Sequence, residues 1–210
     1  MVGPLGARYA KIGHGLLGAV ARSHQDVLTS ATRDRHMAEN AEWISKTYLP
    51  GQRVMLWAHN AHIGNTGAGT LEASMGSFLT ADLGAKYFPV GSAFGGGSFQ
   101  ASGPQLSDDL RRWDVPAAKP GSVESELGKL GKPLFFLDFG ALDDAARHWL
   151  DAVRPMREIG AVYDPAMADQ FYVPISVGQA FRGLIYFAKT TRARPLPSVM
   201  RDYDLRKDWQ

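Results

Sequence analysis

The sequence contains no cysteine, which excludes disulfide bonds, thiolate metal sites and a cysteine nucleophile. It also contains no Gly-x-Ser-x-Gly elbow, so a serine hydrolase of the usual α/β-hydrolase type is disfavoured. No HExxH motif occurs, and no apolar run reaches the length of a membrane span. These absences lead us to expect a cytoplasmic protein that uses no cofactor and makes no membrane contact.

The composition is that of an ordinary globular protein. Hydrophobic residues make up 45% and charged residues 21% of the 210 residues, and the net charge is +2. Basic residues near the C-terminus are interrupted by prolines and acids, and no nucleic-acid-binding module accompanies them, so we expect no nucleic-acid partner. We predict a single α/β domain over residues 1–210, in which the glycine-rich residues 1–15 are loose.

Apolar spacing in the first half predicts helices separated by strands. Residues 16–48 have helical spacing, which predicts one long helix or two joined helices that end at Leu49-Pro50-Gly51. The apolar run 53–58 that follows predicts a buried strand. A second helix is predicted from Thr70 or Glu72 to Leu83, with Gly84 as its C-terminal cap. Residues 86–94 and 97–101 flank Gly95-Gly96, which predicts a β-hairpin.

The second half continues the alternation. A helix is predicted from Ser122, its N-cap, to Leu130, and another over residues 142–153. Buried strands are predicted at residues 132–139 and 183–188. The whole pattern predicts an α/β fold with a mainly parallel sheet flanked by helices and an antiparallel β-hairpin.

Polar residues follow the strand at residues 53–58 without a gap. In open α/β sheets ligands bind beyond the carboxyl ends of strands, which makes His59, Asn60 and His62 candidates for a functional site. Histidine exchanges protons near neutral pH. The alternative, that both histidines cap the strand and bond nearby backbone, is equally compatible with the sequence. A His-x-x-His pair supplies two metal ligands where catalytic zinc uses three, so we predict no metal.

The predicted first helix carries a second concentration of polar side chains. Arg33 and Asn40 share one face, and Asp34 lies on an adjacent strip beside the small residues Ala38 and Ala41. Small residues would let the helix approach the sheet, so that the polar side chains reach a cleft. A solvated charged face is the alternative, and the sequence alone slightly favours it. Asp138 is similarly ambiguous between the cleft and a helix cap.

Several of these residues occur in an order and spacing that resembles the erythromycin esterase family over residues 28–195. The matching elements are Arg33-Asp34-x-x-Met37-Ala38-x-Asn40-x-x-Trp43, Trp57-Ala58-His59-Asn60-x-His62, Met75-Gly76, Tyr87-x-x-x-Gly91 and Gly97-Ser98-Phe99-x-Ala101. The resemblance implies a hydrolase that opens a macrolide lactone or a related ester, with water deprotonated by a histidine. It implies catalytic roles for His59 and His62, and substrate binding by Arg33, Asp34, Asn40 and Asn60.

The matching elements belong to the C-terminal half of the proteins of this family. A Gly-Glu-x-x-His-Gly motif, which supplies the family's principal base, is not found in this sequence. A truncated, partial domain is therefore expected, with an uncovered sheet edge and weak or absent esterase activity. Two alternatives remain: a non-catalytic module that binds a ligand, a complementary N-terminal half or a second copy, and a metal-dependent enzyme that uses His59 and His62.

Overall fold

The computed structural model describes residues 30–66, 73–104 and 110–193. The described residues up to Tyr87 form one compact unit, and those from Phe88 onward form a second. The single domain over residues 1–210 stays a prediction, and residues 1–15 lie outside the described ranges. Among the described helices, none is both long and apolar enough to cross a lipid bilayer.

The described residues of the first unit form three α-helices. They are α1 (Ser30–Tyr48), the short α2 (Asn60–Ile63) and α3 (Met75–Leu83), which a 3₁₀ turn follows. The predicted end of the first helix before Leu49-Pro50-Gly51 is confirmed, and Gly51 has the positive φ of 73° that a helix exit favours. The predicted start near residue 16 lies outside the described residues.

Helix α3 begins later than the sequence pattern predicts, because a cap overrides the apolar spacing. Ser74 accepts a hydrogen bond from the Ser77 backbone, and the Ser77 hydroxyl accepts one from the Ser74 backbone, which forms a capping box. The predicted starting positions, residues 70 and 72, lie outside the described residues. The predicted cap at Gly84 is confirmed: its N–H donates to the Thr80 carbonyl and its φ is 54°.

Helices α1 and α3 pack against each other through a small apolar core. Ala38 of α1 and Met75 and Leu79 of α3 are buried at its centre. Partly buried side chains surround these three residues: Met37, Ala58, Ile63, Phe78, Leu83 and Tyr87. The strip of small residues predicted on the first helix therefore faces a helix rather than a sheet.

The buried strand predicted at residues 53–58 is wrong for the described part of the chain. These residues belong to no sheet, and Met55 and Trp57 are 85% and 94% exposed. An apolar run predicts burial, but a strand also needs a neighbouring strand to pair its backbone groups. Among the described residues no such neighbour lies beside it.

The second unit contains six described strands in two sheets. They are β1 (Val90–Ala101), β2 (Arg111–Val115), β3 (Leu134–Asp138), β4 (Arg154–Arg157), β5 (Tyr172–Ile175) and β6 (Gly183–Thr190). One sheet has the order β2-β1-β6-β3, and β4 pairs antiparallel with β5. The predicted α/β fold is confirmed. Parallel pairing is scarcer than predicted, because β1 and β6 form the parallel pair while β2 and β3 join antiparallel.

The second unit contains three described helices, and the first two begin at a side-chain N-cap. They are α4 (Val123–Gly128), α5 (Asp144–Asp151) and α6 (Val177–Ala180). The predicted N-cap Ser122 is confirmed, since its hydroxyl accepts a hydrogen bond from the Ser125 backbone at 3.2 Å. Asp138 accepts from the Gly140 backbone at 2.9 Å and caps a 3₁₀ turn, which favours the cap over the cleft.

The hairpin predicted around Gly95-Gly96 is wrong, because residues 90–101 form one continuous strand. A Cβ on Gly95 would lie 2.6 Å from the Tyr186 hydroxyl and 2.8 Å from the Ala188 carbonyl oxygen. Glycine here allows strand β6 to lie close beside β1 instead of turning the chain. The pattern of consecutive glycines does not distinguish these two uses.

A buried arginine connects several elements of the second unit. The Arg157 backbone N–H donates to Glu124 Oε1 at 2.7 Å, and its guanidinium donates to the Tyr172 hydroxyl at 2.6 Å. The guanidinium also lies over the rings of Phe94 and Tyr172, at 5.1 and 5.2 Å. Glu124 is almost fully buried, and the described residues give its Oε2 no hydrogen-bond partner. Burial raises the pKa of its carboxyl above the ordinary value.

The replacement Glu124→Gln should flatten the pH dependence of stability above about pH 4.5. Because the folded-state pKa is raised, the stabilisation from this group is complete below that pH. It is lost as the pH rises through the folded-state pKa. Urea unfolding of both proteins over a pH series measures the difference. Glu126→Gln, at a more exposed position of the same helix, is the control. If the free energy of unfolding changes equally with pH in all three proteins, Glu124 is not the source of that pH dependence.

Candidate functional site

The predicted histidine cluster forms a single tight turn in the first unit. The backbone N–H groups of His62 and Gly64 donate to the carbonyls of His59 and Asn60, both at 2.9 Å. His59 is the N-cap of α2, and its Nδ1 accepts a hydrogen bond from the Ala61 backbone at 3.2 Å. The exposed His59 therefore bonds nearby backbone, but it caps the short helix α2 and not the predicted strand.

Residues outside the turn contact the carbonyl groups at its end. The Ser74 hydroxyl donates to the Gly64 carbonyl at 2.5 Å, and the Tyr87 hydroxyl donates to the Ile63 carbonyl at 2.7 Å. A Cβ on Gly76 would lie 2.2 and 2.3 Å from the same two carbonyl oxygens, so α3 can approach this closely only with glycine. Burial raises the pKa of Tyr87 to about 12, so its hydroxyl remains a donor at neutral pH.

His62 forms a hydrogen bond with a buried carboxylate. Its Nδ1–H donates to Asp34 Oδ1 at 2.7 Å, and the Asp34 side chain is fully buried on α1 while His62 is partly exposed. Among the described residues, the second oxygen of Asp34 has no partner. A carboxylate at Nδ1 orients the ring, keeps the proton on that nitrogen and leaves Nε2 able to accept another. The pair is thus suited to proton transfer or to stabilising charge.

The other predicted site residues lie in different environments. Asn60 is buried within the turn, and Asn40 is half-buried on α1. Arg33 is exposed, although it adjoins Asp34 in the sequence, because consecutive helical residues point about 100° apart. The structure therefore brings Asp34 and His62 together and leaves Arg33 on the outer side of the helix.

The sequence did not reveal the partnership of Asp34 with His62. The two residues are 28 positions apart, and the resemblance assigned Asp34 to substrate binding. One available signal was its position one turn before Ala38, on the strip of small residues that predicts close packing. An aspartate on such a strip needs a buried partner, since an unpaired buried charge is costly.

A catalytic metal site at His59 and His62 would need at least one further ligand. Within the described ranges, no group of three or more His, Cys, Asp or Glu side chains is placed to hold a metal ion. The Nδ1 atom of His59 already accepts the Ala61 N–H, and the Nδ1 atom of His62 bonds Asp34.

Comparison with known proteins gives a family and a set of relatives. The family model described as "Erythromycin esterase" matches residues 7–190. The Bacillus subtilis (strain 168) protein named "Putative hydrolase YbfO" is 28% identical over 117 residues, which are 51% of this chain and 25% of that protein.

Solved structures share the fold. A succinoglycan biosynthesis protein is 27% identical with a TM-score of 0.67, and a Bacillus cereus protein is 22% identical with a TM-score of 0.68. Both alignments cover 77% of this chain and 38% of the other. A mutant of the erythromycin esterase EreC in its open conformation matches at 17% identity with a TM-score of 0.53, over 79% of this chain and 40% of that one. The chain spans less than half the length of these relatives.

The replacement Gly76→Ala should lower the free energy of unfolding by about 1–3 kcal/mol, because the added carbon meets two backbone carbonyl oxygens that cannot move independently. Chemical denaturation followed by circular dichroism measures the change. Gly160→Ala is the control, since nothing lies within 4 Å of a Cβ there, and its effect should stay within about 0.5 kcal/mol. A Gly76→Ala protein as stable as the parent would show that the turn and α3 are not in contact.

In the neutral state, His62 should carry its proton on Nδ1, and Asp34→Asn should shift the tautomer balance towards Nε2. Nitrogen-15 NMR of labelled histidine rings distinguishes the two tautomers. His36→Gln, which removes the histidine paired with Glu39 on α1, assigns one of the remaining signals and should leave that of His62 unchanged. Finding the Nε2–H tautomer in the parent protein would contradict the described bond.

Proposed function

Because the chain belongs to the erythromycin esterase family, we propose that it carries part of a hydrolase site that cleaves carboxylic esters with water. The observation that carries the proposal is the bond from the partly exposed His62 to the buried Asp34. A histidine oriented by a buried carboxylate is a recurrent arrangement for moving protons in hydrolysis. The absence of cysteine and of a serine elbow favours water as the nucleophile.

In the proposed reaction, Nε2 of His62 first accepts a proton and later donates it. Nε2 accepts a proton as the water oxygen attacks the ester carbonyl carbon, and Asp34 stabilises the resulting positive charge on the ring. The ester C–O bond then breaks, and the alkoxide oxygen that leaves takes the proton from Nε2. The products are a carboxylic acid and an alcohol, and His62 returns to its neutral form.

The other predicted residues retain proposed roles near this step. We assign substrate contacts to Arg33, Asn40 and Asn60, and a second catalytic role to the exposed His59. These assignments rest on the family resemblance, since the structure places Arg33 on the outer side of α1 and buries Asn60 within the turn.

The proposed substrate is a macrolide lactone or a related ester. A lactone is a cyclic ester, so the same bond cleavage opens the ring and gives a single product. The family description supports this choice, while the likeness to EreC at 17% identity supports the fold alone.

We propose that the chain by itself hydrolyses esters slowly. The Gly-Glu-x-x-His-Gly motif that supplies the family's principal base is not found in the 210 residues. Loss of a general base typically reduces the rate by about 10²–10⁴-fold. His62 and Asp34 are then one part of a larger set of catalytic groups.

Incubation of the purified chain with an activated aryl ester and, separately, with erythromycin tests this proposal. We expect slow aryl ester hydrolysis above the buffer rate, and ring-opened macrolide detected by mass spectrometry in trace amounts or not at all. His62→Gln should remove the excess rate, and Asp34→Asn should reduce it about tenfold or more, because the ring loses its orientation.

His36→Gln is the matched control, since His36 lies on α1 but bonds Glu39 rather than Asp34. Its rate should equal that of the parent chain. An excess rate that survives His62→Gln, or no excess rate at all, would contradict the assignment of proton transfer to His62. Rapid macrolide turnover by the chain alone would contradict its dependence on the missing motif.

A further inference from the structure

The turn that carries His62 is too short to hold itself in place. Its backbone forms three described hydrogen bonds, from the N–H groups of residues 62–64 to the carbonyls of His59 and Asn60. A helix of one turn is unstable by itself, because fixing its backbone is more unfavourable than its first hydrogen bonds are favourable. The position of His62 therefore depends on contacts from outside the turn.

Tyr87 provides one of these contacts through its hydroxyl. The hydroxyl donates to the carbonyl of Ile63, the residue that directly follows His62, at 2.7 Å. Carbonyls in the last turn of a helix have no N–H partner within that helix, so an outside donor stabilises them. Among the described residues, the Tyr87 hydroxyl makes no second hydrogen bond. Its effect is therefore confined to the turn.

The ring of Tyr87 packs against the core that also positions Asp34. This core lies between α1 and α3, and Ala38, Met75 and Leu79 are its buried centre. Ala38 follows Asp34 by one helical turn on α1, so the packing of Ala38 fixes the place of Asp34. Tyr87 thus connects the core that holds Asp34 to the turn that holds His62.

The bond between His62 and Asp34 tolerates little displacement. Its length is 2.7 Å, and hydrogen bonds of this kind weaken beyond about 3.2 Å. The Asp34 carboxylate is fully buried on a long helix, so it cannot follow the ring outward. A shift of the turn by about 0.5 Å is therefore enough to release the ring from its orientation.

The other contacts to the turn have further roles in the fold. The Ser74 hydroxyl bonds the Gly64 carbonyl, but it also accepts the Ser77 N–H and caps α3. Gly76 lies within α3 itself. A change at either position disturbs the helix, whereas Tyr87→Phe leaves the ring in the core and removes a single hydrogen bond.

We propose that Tyr87 is a positioning residue, whose bond to the Ile63 carbonyl holds the turn where Nδ1 of His62 can bond Asp34. The hydroxyl acts through the turn and needs no contact with a substrate. The expected effect on ester hydrolysis rests on the proposed function. The expected effect on the tautomer of His62 does not.

Nitrogen-15 NMR of the full 210-residue chain, with labelled histidine rings in their neutral form, tests the proposal without a substrate. In the parent chain His62 carries its proton on Nδ1, and in Tyr87→Phe we expect the Nε2–H tautomer to become populated. His62→Gln identifies the signal of this ring. Far-ultraviolet circular dichroism verifies that each variant is folded.

Tyr48→Phe is the matched control. It also removes a buried tyrosine hydroxyl from the first unit, but within the described ranges that hydroxyl has no hydrogen-bond partner. The His62 tautomer should be the same in this variant as in the parent chain. An unchanged tautomer in Tyr87→Phe, or an equal change in both variants, would overturn the proposal.

Hydrolysis of the activated aryl ester tests whether Tyr87 acts through the bond between Asp34 and His62. Tyr87→Phe should lower the excess rate about tenfold. Combined with Asp34→Asn, it should cause little further loss, because both changes remove the same bond. A loss of about 10²-fold in the double variant, the product of two independent effects, would overturn the proposal. A changed tautomer in Tyr87→Phe, with no excess rate in the parent chain, would contradict the proposed function and support the positioning role.

Discussion

The close contact between Gly76 and the carbonyl oxygens of Ile63 and Gly64 determines the geometry of the first unit. Without a side chain at position 76, α3 lies directly against the turn, and Ser74 and Tyr87 bond the same two carbonyls. The turn is therefore held by three independent contacts. His62 belongs to this turn, and its ring bonds Asp34 on α1.

The two units use buried charge differently. In the first, Asp34 is a fully buried carboxylate whose partner His62 reaches the surface, which is suited to exchanging protons with a ligand. In the second, Glu124 and Arg157 are both buried, and Arg157 bonds backbone and tyrosine groups from several strands. The bond from Arg157 to Tyr172 joins β4 to β5 and stabilises their packing.

Residues 53–58 show that an apolar run in the sequence does not suffice to predict a buried strand. The run has the composition of a buried strand, yet it pairs with no described strand and most of its side chains are exposed. The apolar pattern indicates that the segment favours burial, but it does not indicate whether a neighbouring strand is present. Gly95 and Gly96 pose the same problem, because a turn and a close approach of two strands both require glycine.

The sequence by itself determined the α/β class, the ends and caps of several helices, and the family. These features depend on local spacing and on short motifs, which a linear reading contains. Only the tertiary structure decided that Asp34 bonds His62, that His59 is a cap, and that Gly76 and Gly95 serve close packing. Each of these depends on residues far apart in the chain, whose approach is set by the packing of whole elements.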